Sequence, residues 1–286
     1  MLESVLFQIL IGVYRSSYYW LIASGLTLIF GVTRVVNFAH AAFFVLGGYL
    51  AFTFFNLTGN FWFSLAAATL TTGLIGIVVE RLLLKPLYRV EVLYQLLMTF
   101  AISLIINDMS KIVWGLTAQS IPIPSWFKVQ IPIFNRFFPA YYVFVIGSSF
   151  LTFILLYILI NRTMWGLRIR ATWRDLGMAE CLKINTQRIY ALTFLLGTAL
   201  AGLGGALMIP VSPVGPGLGD HLIITAFIVV VIAGLGNLLG TYISAYIVGI
   251  AESVFILFVP EVDILLIYAI MALILMVRPW GLFGEK

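Results

Sequence analysis

The chain has 286 residues, 62% of them hydrophobic and 9% charged, with 16 Lys and Arg against 11 Asp and Glu for a formal net charge of +5. Soluble domains run near half apolar and a quarter charged, so water is excluded as the solvent for most of this surface, and a single transmembrane domain over residues 1–286 is expected. The basic excess gathers in short connections beside apolar runs, which points away from nucleic acid; the lone Cys181 excludes an internal disulfide, and with no Cys and His spacing that suits a metal, neither metal nor cofactor is expected.

The N-terminus opens with Glu3 and lacks both a basic stretch and a small-residue cleavage site, so the first apolar run reads as a retained helix. Runs long enough to cross a bilayer extend over Val5 to Gly31, Ala41 to Leu57, Trp62 to Leu84, Val92 to Trp114, Tyr141 to Ile160, Ile189 to Ile209, Leu222 to Leu239, Tyr242 to Phe258 and Ile264 to Met276. They predict an all-α, polytopic transmembrane helical bundle of about 8–9 helices. The run from Leu222 to Leu239 is short and interrupted at Gly234 and Gly236, so it either spans or re-enters.

Arg15 lies well inside the first run, among Tyr14, Tyr18, Tyr19 and Trp20. A charge at mid-bilayer costs about 3 kcal/mol, and a side chain snorkelling in an outer aromatic belt is favoured over one that touches an anionic solute. Further on, Gly25 to Gly31 is followed by Arg34, Asn37, His40, Gly47 and Gly48, so polar residues interrupt two apolar helices. Asn37 and His40 share a face if that turn is helical, and broken helices are a transporter device for binding solute. The alternative is that they cap the break and stitch neighbouring helices.

The connection from Gly115 to Ala140 holds Pro122, Pro124, Pro132 and Pro139 with Trp126, Phe127, Phe137 and Phe138, an irregular segment suited to the membrane interface. Asn161 to Arg188 carries Arg162, Arg168, Arg170, Arg174, Lys183 and Arg188 against Asp175 and Glu180, and is assigned to the cytoplasm. Counting crossings from it puts Arg81, Lys85 and Arg89 on the same side, with Arg278 and Lys286 at a cytoplasmic C-terminus, and leaves the N-terminus outside. Residues 166–185 predict a short helix along the membrane face, with Leu176, Ala179 and Leu182 packed inward; a basic membrane-surface helix is the alternative. Gly197, Gly202, Gly204, Gly205 and the later glycines suit close helix packing, and no Lys follows them in a phosphate-binding pattern, so the chain itself binds no ATP. Gly76 to Glu80 and Gly249 to Glu252 echo each other, as the halves of an inverted repeat would.

Taken together, the run Gly25 to Gly31 with Val35, Asn37, Ala39 and His40, then Glu80, Arg81, Lys85, Pro86 and Leu87, then Arg170, Ala171, Ala179, Ile184 and Asn185, and Pro213 through Phe227 to Gly234, Gly236 and Gly240 form an ordered set. Over nearly its whole length the chain resembles the permease family of branched-chain amino-acid ABC importers, of the LivH type. The resemblance implies a prokaryotic inner-membrane subunit that forms the translocation path for a small organic solute, branched-chain or other hydrophobic amino acids first. It implies a second homologous permease subunit, identical or not, two cytosolic ATPase subunits that hydrolyse ATP, an extracytoplasmic solute-binding protein, and lipid around the bundle. Residues of about 173–183 then look like the coupling helix, with Arg170, Arg174, Asp175, Ala179, Glu180 and Lys183 facing the ATPase. Asn37, His40, Gly47, Gly48 and Trp20 are the expected substrate path.

Ala41 and Lys183 stand where the family usually has glycine, and Arg15 and Trp20 where it has small or apolar residues, so another amino acid, urea and short amides stay open as solutes. An ion-coupled secondary transporter would need an intramembrane carboxylate, for which Asp108 and Glu252 are candidates. A passive channel lined by Asn37 ranks lower. Enzyme chemistry is not expected, because His40 and His221 have no matching nucleophile or carboxylate motif.

Overall fold

A computed structural model describes residues 2–88, 90–133, 136–259 and 263–284. Among them the chain forms eleven α-helices and one two-stranded hairpin. The helices are α1 (Leu2–Thr33), α2 (His40–Thr58), α3 (Phe61–Val79), α4 (Val92–Trp114), α5 (Ala140–Arg162), α6 (Met164–Arg174), α7 (Leu176–Cys181), α8 (Thr186–Met208), α9 (Leu218–Ala233), α10 (Leu238–Ile256) and α11 (Asp263–Val277). Each of the nine apolar runs is helical over most of its length. Six described spans are long and apolar enough to cross a membrane: α2, Phe61–Leu87, α4, α5, α8 and α10. The Phe61–Leu87 span extends α3 through a π turn, Glu80–Leu84, and a short 3-10 turn, Lys85–Leu87. This is a multi-pass membrane bundle.

The seventh run ends earlier than its hydropathy suggests. α9 stops at Ala233, because Gly234 (φ 91) and Gly236 (φ 85) take left-handed conformations that only glycine adopts cheaply, and Leu238 and Leu239 already belong to α10. Asn237 starts α10, its Oδ1 accepting the Gly240 N–H at 2.8 Å.

α1 is the central post. It packs along α10 and α8 and also touches α5 and α9. The closest pairings, α1 with α10 and α3 with α8, exchange partners as two related halves, α1–α4 and α8–α11, would do. Small residues permit the approach: a Cβ on Gly12 would sit 2.7 Å from Ile250 Cα, and one on Gly202 would sit 2.6 Å from Thr72 Cβ. Polar pairs tie the same crossings, with Thr27 and Thr241 hydroxyls 2.8 Å apart and Ser253 Oγ donating to Gln8 O at 2.9 Å.

The bundle has two distinct ends. At one, the proline-rich connection folds into β1 (Gln130–Ile133) and β2 (Arg136–Pro139), antiparallel with Gln130 opposite Pro139, where an irregular segment was expected. Its prolines are tolerated because both strands are edges. Arg136 docks it on α1, donating to Ser4 Oγ at 3.2 Å with its guanidinium 5.4 Å from the Phe7 ring centroid. Gln119 and Val214 exchange backbone hydrogen bonds of 2.8 and 2.9 Å at this hairpin end. The other end carries α6, α7, the residues after α11, and the basic residues Arg81, Lys85, Arg162, Arg168, Arg170, Arg174, Lys183, Arg188 and Arg278. Arg89 and Lys286 lie outside the described residues.

Candidate functional site

α1 ends at Thr33, where Arg34 turns the chain with φ 56 and donates to Trp173 O at 2.8 Å. The link then runs back between helices. His40 Nε2–H donates to Ile22 O at 2.9 Å, and Ile22 lies about 16 Å up α1 from Thr33 at 1.5 Å per residue. α2 therefore begins inside the membrane layer rather than at its edge. The link's polar groups are met locally: Asn37 Oδ1 accepts the Ala39 N–H at 3.1 Å, and Phe38 N donates to Thr99 Oγ1 at 3.2 Å. Asn37 precedes the helix that His40 opens, so the two do not share a helical face as expected.

α9 starts beside this break. A Cβ on Gly219 would lie 3.5 Å from Ala41 O, and the Phe38 and Phe227 rings are 5.3 Å apart. A narrow cleft here is lined by Ala42, Val45, Ser103, Asn107, Ser110 and Asp220 among others. Asp220 and His221 are exposed, and the lining serines belong to the middle and hairpin-ward part of the 23-residue α4, not its tip. A carboxylate at that depth would cost about 3 kcal/mol against lipid, so this face meets protein or water. One turn on, Lys111 Nζ lies 2.8 Å from Asp108 Oδ1. Asn107 and Asp220 were not singled out from the sequence, because they come from helices far apart in it.

None of the residues expected to line the path is among those lining this cleft. Trp20 is fully buried between α1, α5 and α10, its Nε1–H donating to Thr152 Oγ1 at 3.2 Å. Gly47 and Gly48 let α2 lie against α8, facing Gly202 and Gly205. His40 has no exposed surface and Asn37 has 1%. Arg15 does more than snorkel: it pairs with Glu252 at 3.2 Å, and Tyr19 OH donates to the same carboxylate at 2.6 Å.

The basic connection forms two helices, not one. Asp175 is extended (φ −149, ψ 106), and its Oδ1 caps α7 by accepting the Met178 N–H at 2.9 Å. Arg170 Nη1 donates to Ile160 O and to Asn161 Oδ1, pinning α6 back onto α5. Glu180 Oε1 accepts from Thr186 Oγ1 at 3.2 Å, tying α7 to α8. Ala179 packs inward as expected, but Leu176 and Leu182 point outward with Met178, because the break at Asp175 rotates α7. Arg174, Asp175, Glu180 and Lys183 are exposed beside them. Behind α6 lies a cavity of about 550 Å³, bounded by Thr27, Asn161, Trp173, Asn237 and Trp280 among others.

Residues 8–275 match the family described as branched-chain amino acid transport system / permease component. The chain belongs to this family. It is 28% identical to the high-affinity branched-chain amino acid transport system permease protein LivH of Escherichia coli K12, covering 97% of this chain and 95% of that one. Pseudomonas aeruginosa BraD gives the same identity and coverage, and a probable LivH of Methanocaldococcus jannaschii is 29% identical over 92% of this chain and 88% of its own. No solved structure matches the chain.

The family is one of transport components, not catalysts. Within this permease, Lys183 holds φ 59, a left-handed conformation, which explains the glycine usual there; lysine bears about 1 kcal/mol of strain instead. Ala41 is buried against the start of α9.

Proposed function

We propose that this permease carries a small zwitterionic amino acid, branched-chain or otherwise hydrophobic, inward across the cytoplasmic membrane as one of a pair of permease subunits. The basic end is cytoplasmic by the positive-inside bias, which sets the N-terminus outside and the C-terminus within. The paired break of α2 and α9 carries the reading: two helix starts meet inside the layer beside the exposed Asp220. Helix N-termini favour a solute carboxylate and Asp220 an ammonium, while the apolar walls take the side chain. A carboxylate there disfavours neutral urea and short amides. Asn37 and His40 support this site from behind by holding the link against α1.

Solute arrives from an external binding protein, and two cytosolic ATPase subunits hydrolyse ATP. α6 and α7 form the coupling element: exposed Leu176, Met178 and Leu182, ringed by Arg174, Asp175, Glu180 and Lys183, suit insertion into an ATPase groove. The cavity behind α6 leaves room for a rigid-body shift that alternates access.

Proteoliposomes holding the assembled complex, with the binding protein supplied outside, are expected to take up labelled leucine only with ATP enclosed on the side that the ATPase subunits face; ATP-independent uptake would favour an ion-coupled carrier. Asp220→Asn is expected to lower solute-stimulated uptake about tenfold at unchanged complex yield, the loss of one charge-assisted hydrogen bond. Unaltered uptake would move the site away from α9. Paired Met178→Asp and Leu182→Asp substitutions are expected to abolish ATPase co-purification while the chain's own melting temperature holds, since both side chains are exposed. Normal recovery of ATPase subunits with that variant would remove α7 from the coupling contact.

A further inference from the structure

The amides of Asn37 and Gln95 are 1% and 5% exposed, and the backbone sets the orientation of each. Asn37 Oδ1 is taken by the Ala39 N–H, which leaves Nδ2 for another partner. Gln95 Nε2 donates to Val90 O at 2.9 Å, which leaves Oε1 for another partner. Asn37 Nδ2 and Gln95 Oε1 have no partner among the described residues. Both residues line one small cavity between the end of α1, the α1–α2 link, α4, α8 and the turns that follow α3, together with Thr33, Tyr88, Thr99 and Phe194.

Buried donors and acceptors are nearly always paired, by protein or by ordered water. The occupant here must accept from an amide N–H and donate to an amide carbonyl. A cation meets the wrong end of Asn37, and an anion the wrong end of Gln95. The cavity offers about 10 Å³ to the centre of a water-sized sphere, close to the roughly 10–15 Å³ that one water requires. We propose that this cavity is an internal water site, whose single water bridges Asn37 Nδ2 to Gln95 Oε1 and so joins the link to α4.

The bridge matters because α4 is lightly held. It packs mainly on α2 and the π turn after α3, and Thr99 supplies its other polar tie to the link through Phe38 N and Val36 O. Non-helical backbone at membrane depth persists only where such groups are met. With water in place, the link and α4 move as one piece; without it, two buried amides face an empty space.

The full-length chain in lipid nanodiscs, exposed to brief X-ray pulses that turn bound water into hydroxyl radicals, tests this by mass spectrometry. Phe194, 2% exposed and lining the cavity, is expected to oxidise several-fold faster than Phe44, which is fully buried away from it. Equal rates would overturn the proposal. Asn37→Leu and Gln95→Leu are each expected to lower the melting temperature, with the double variant losing less than the sum because neither side-chain amide is then left unpaired at the cavity. Strictly additive losses would also overturn it.

Discussion

Gly205→Leu is expected to leave no stably assembled bundle in the membrane. α8 crosses α2 so closely that even a Cβ on Gly205 would collide with the Phe44 carbonyl oxygen and lie 2.9 Å from Gly48 N. Backbone cannot rotate aside as a side chain can, so leucine must push the two helices apart. Overpacking costs about 1–3 kcal/mol where side chains can adjust, and more where they cannot. The shift would propagate, because the same stretch of α8 also receives Thr72 of α3 on Gly202 and the Phe44 ring on Gly204. Between membrane helices this small-residue packing is itself the main attraction. Detergent-solubilised variant should therefore aggregate on size exclusion, whereas Gly147→Ala, where an added Cβ meets nothing within 4 Å, should run as the parent does. A monodisperse Gly205→Leu protein with a parental melting temperature would contradict this packing.

The second large effect is expected at the ion pair between α1 and α10. Arg15→Met should destabilise the chain by about 3 kcal/mol, the lower end for stripping one partner from a buried pair, because Arg15 is 38% exposed and Glu252 8%. Glu252 keeps the Tyr19 hydroxyl at 2.6 Å but loses the Arg15 guanidinium. Glu252→Gln should cost less, since an amide oxygen still accepts from Tyr19. The combined Arg15→Met and Glu252→Met variant should recover part of the loss, as apolar replacement of a whole buried pair commonly does. Thermal unfolding in one detergent ranks the three, and an unshifted midpoint for Arg15→Met would show that the contact carries no stability. Glu252, one of the two carboxylates considered for ion coupling, lies within bonding distance of both Arg15 and Tyr19.

How far such features can be read beforehand differs from element to element. The bounds of α4 agree with the apolar run from Val92 to Trp114, because a helix that must cover about 30 Å of hydrocarbon writes its length into hydropathy. The two-helix form of the basic connection was less legible. Its break at Asp175 depends on a side chain capping its neighbour, a local event that apolar spacing does not register, and so the outward turn of Leu176 and Leu182 was read as inward. The hairpin was hidden by Pro132 and Pro139, which argue against strands unless both are edges. Among the expected path residues, the stitching alternative fits His40, whose imidazole is spent on a backbone carbonyl.

Composition and order of residues alone determined that this protein lives in a bilayer, where its helices lie, which end is basic and to which family it belongs. Those properties are sums over contiguous residues, and a sum survives without coordinates. Tertiary structure decided which residues meet: Arg15 with Glu252 across 237 positions, Gly47 with Gly202, and the start of α2 with that of α9. In helices apolar on nearly every face, periodicity does not say which side turns inward or how deep a break sits. Only packing of one helix against another sets that rotation and depth.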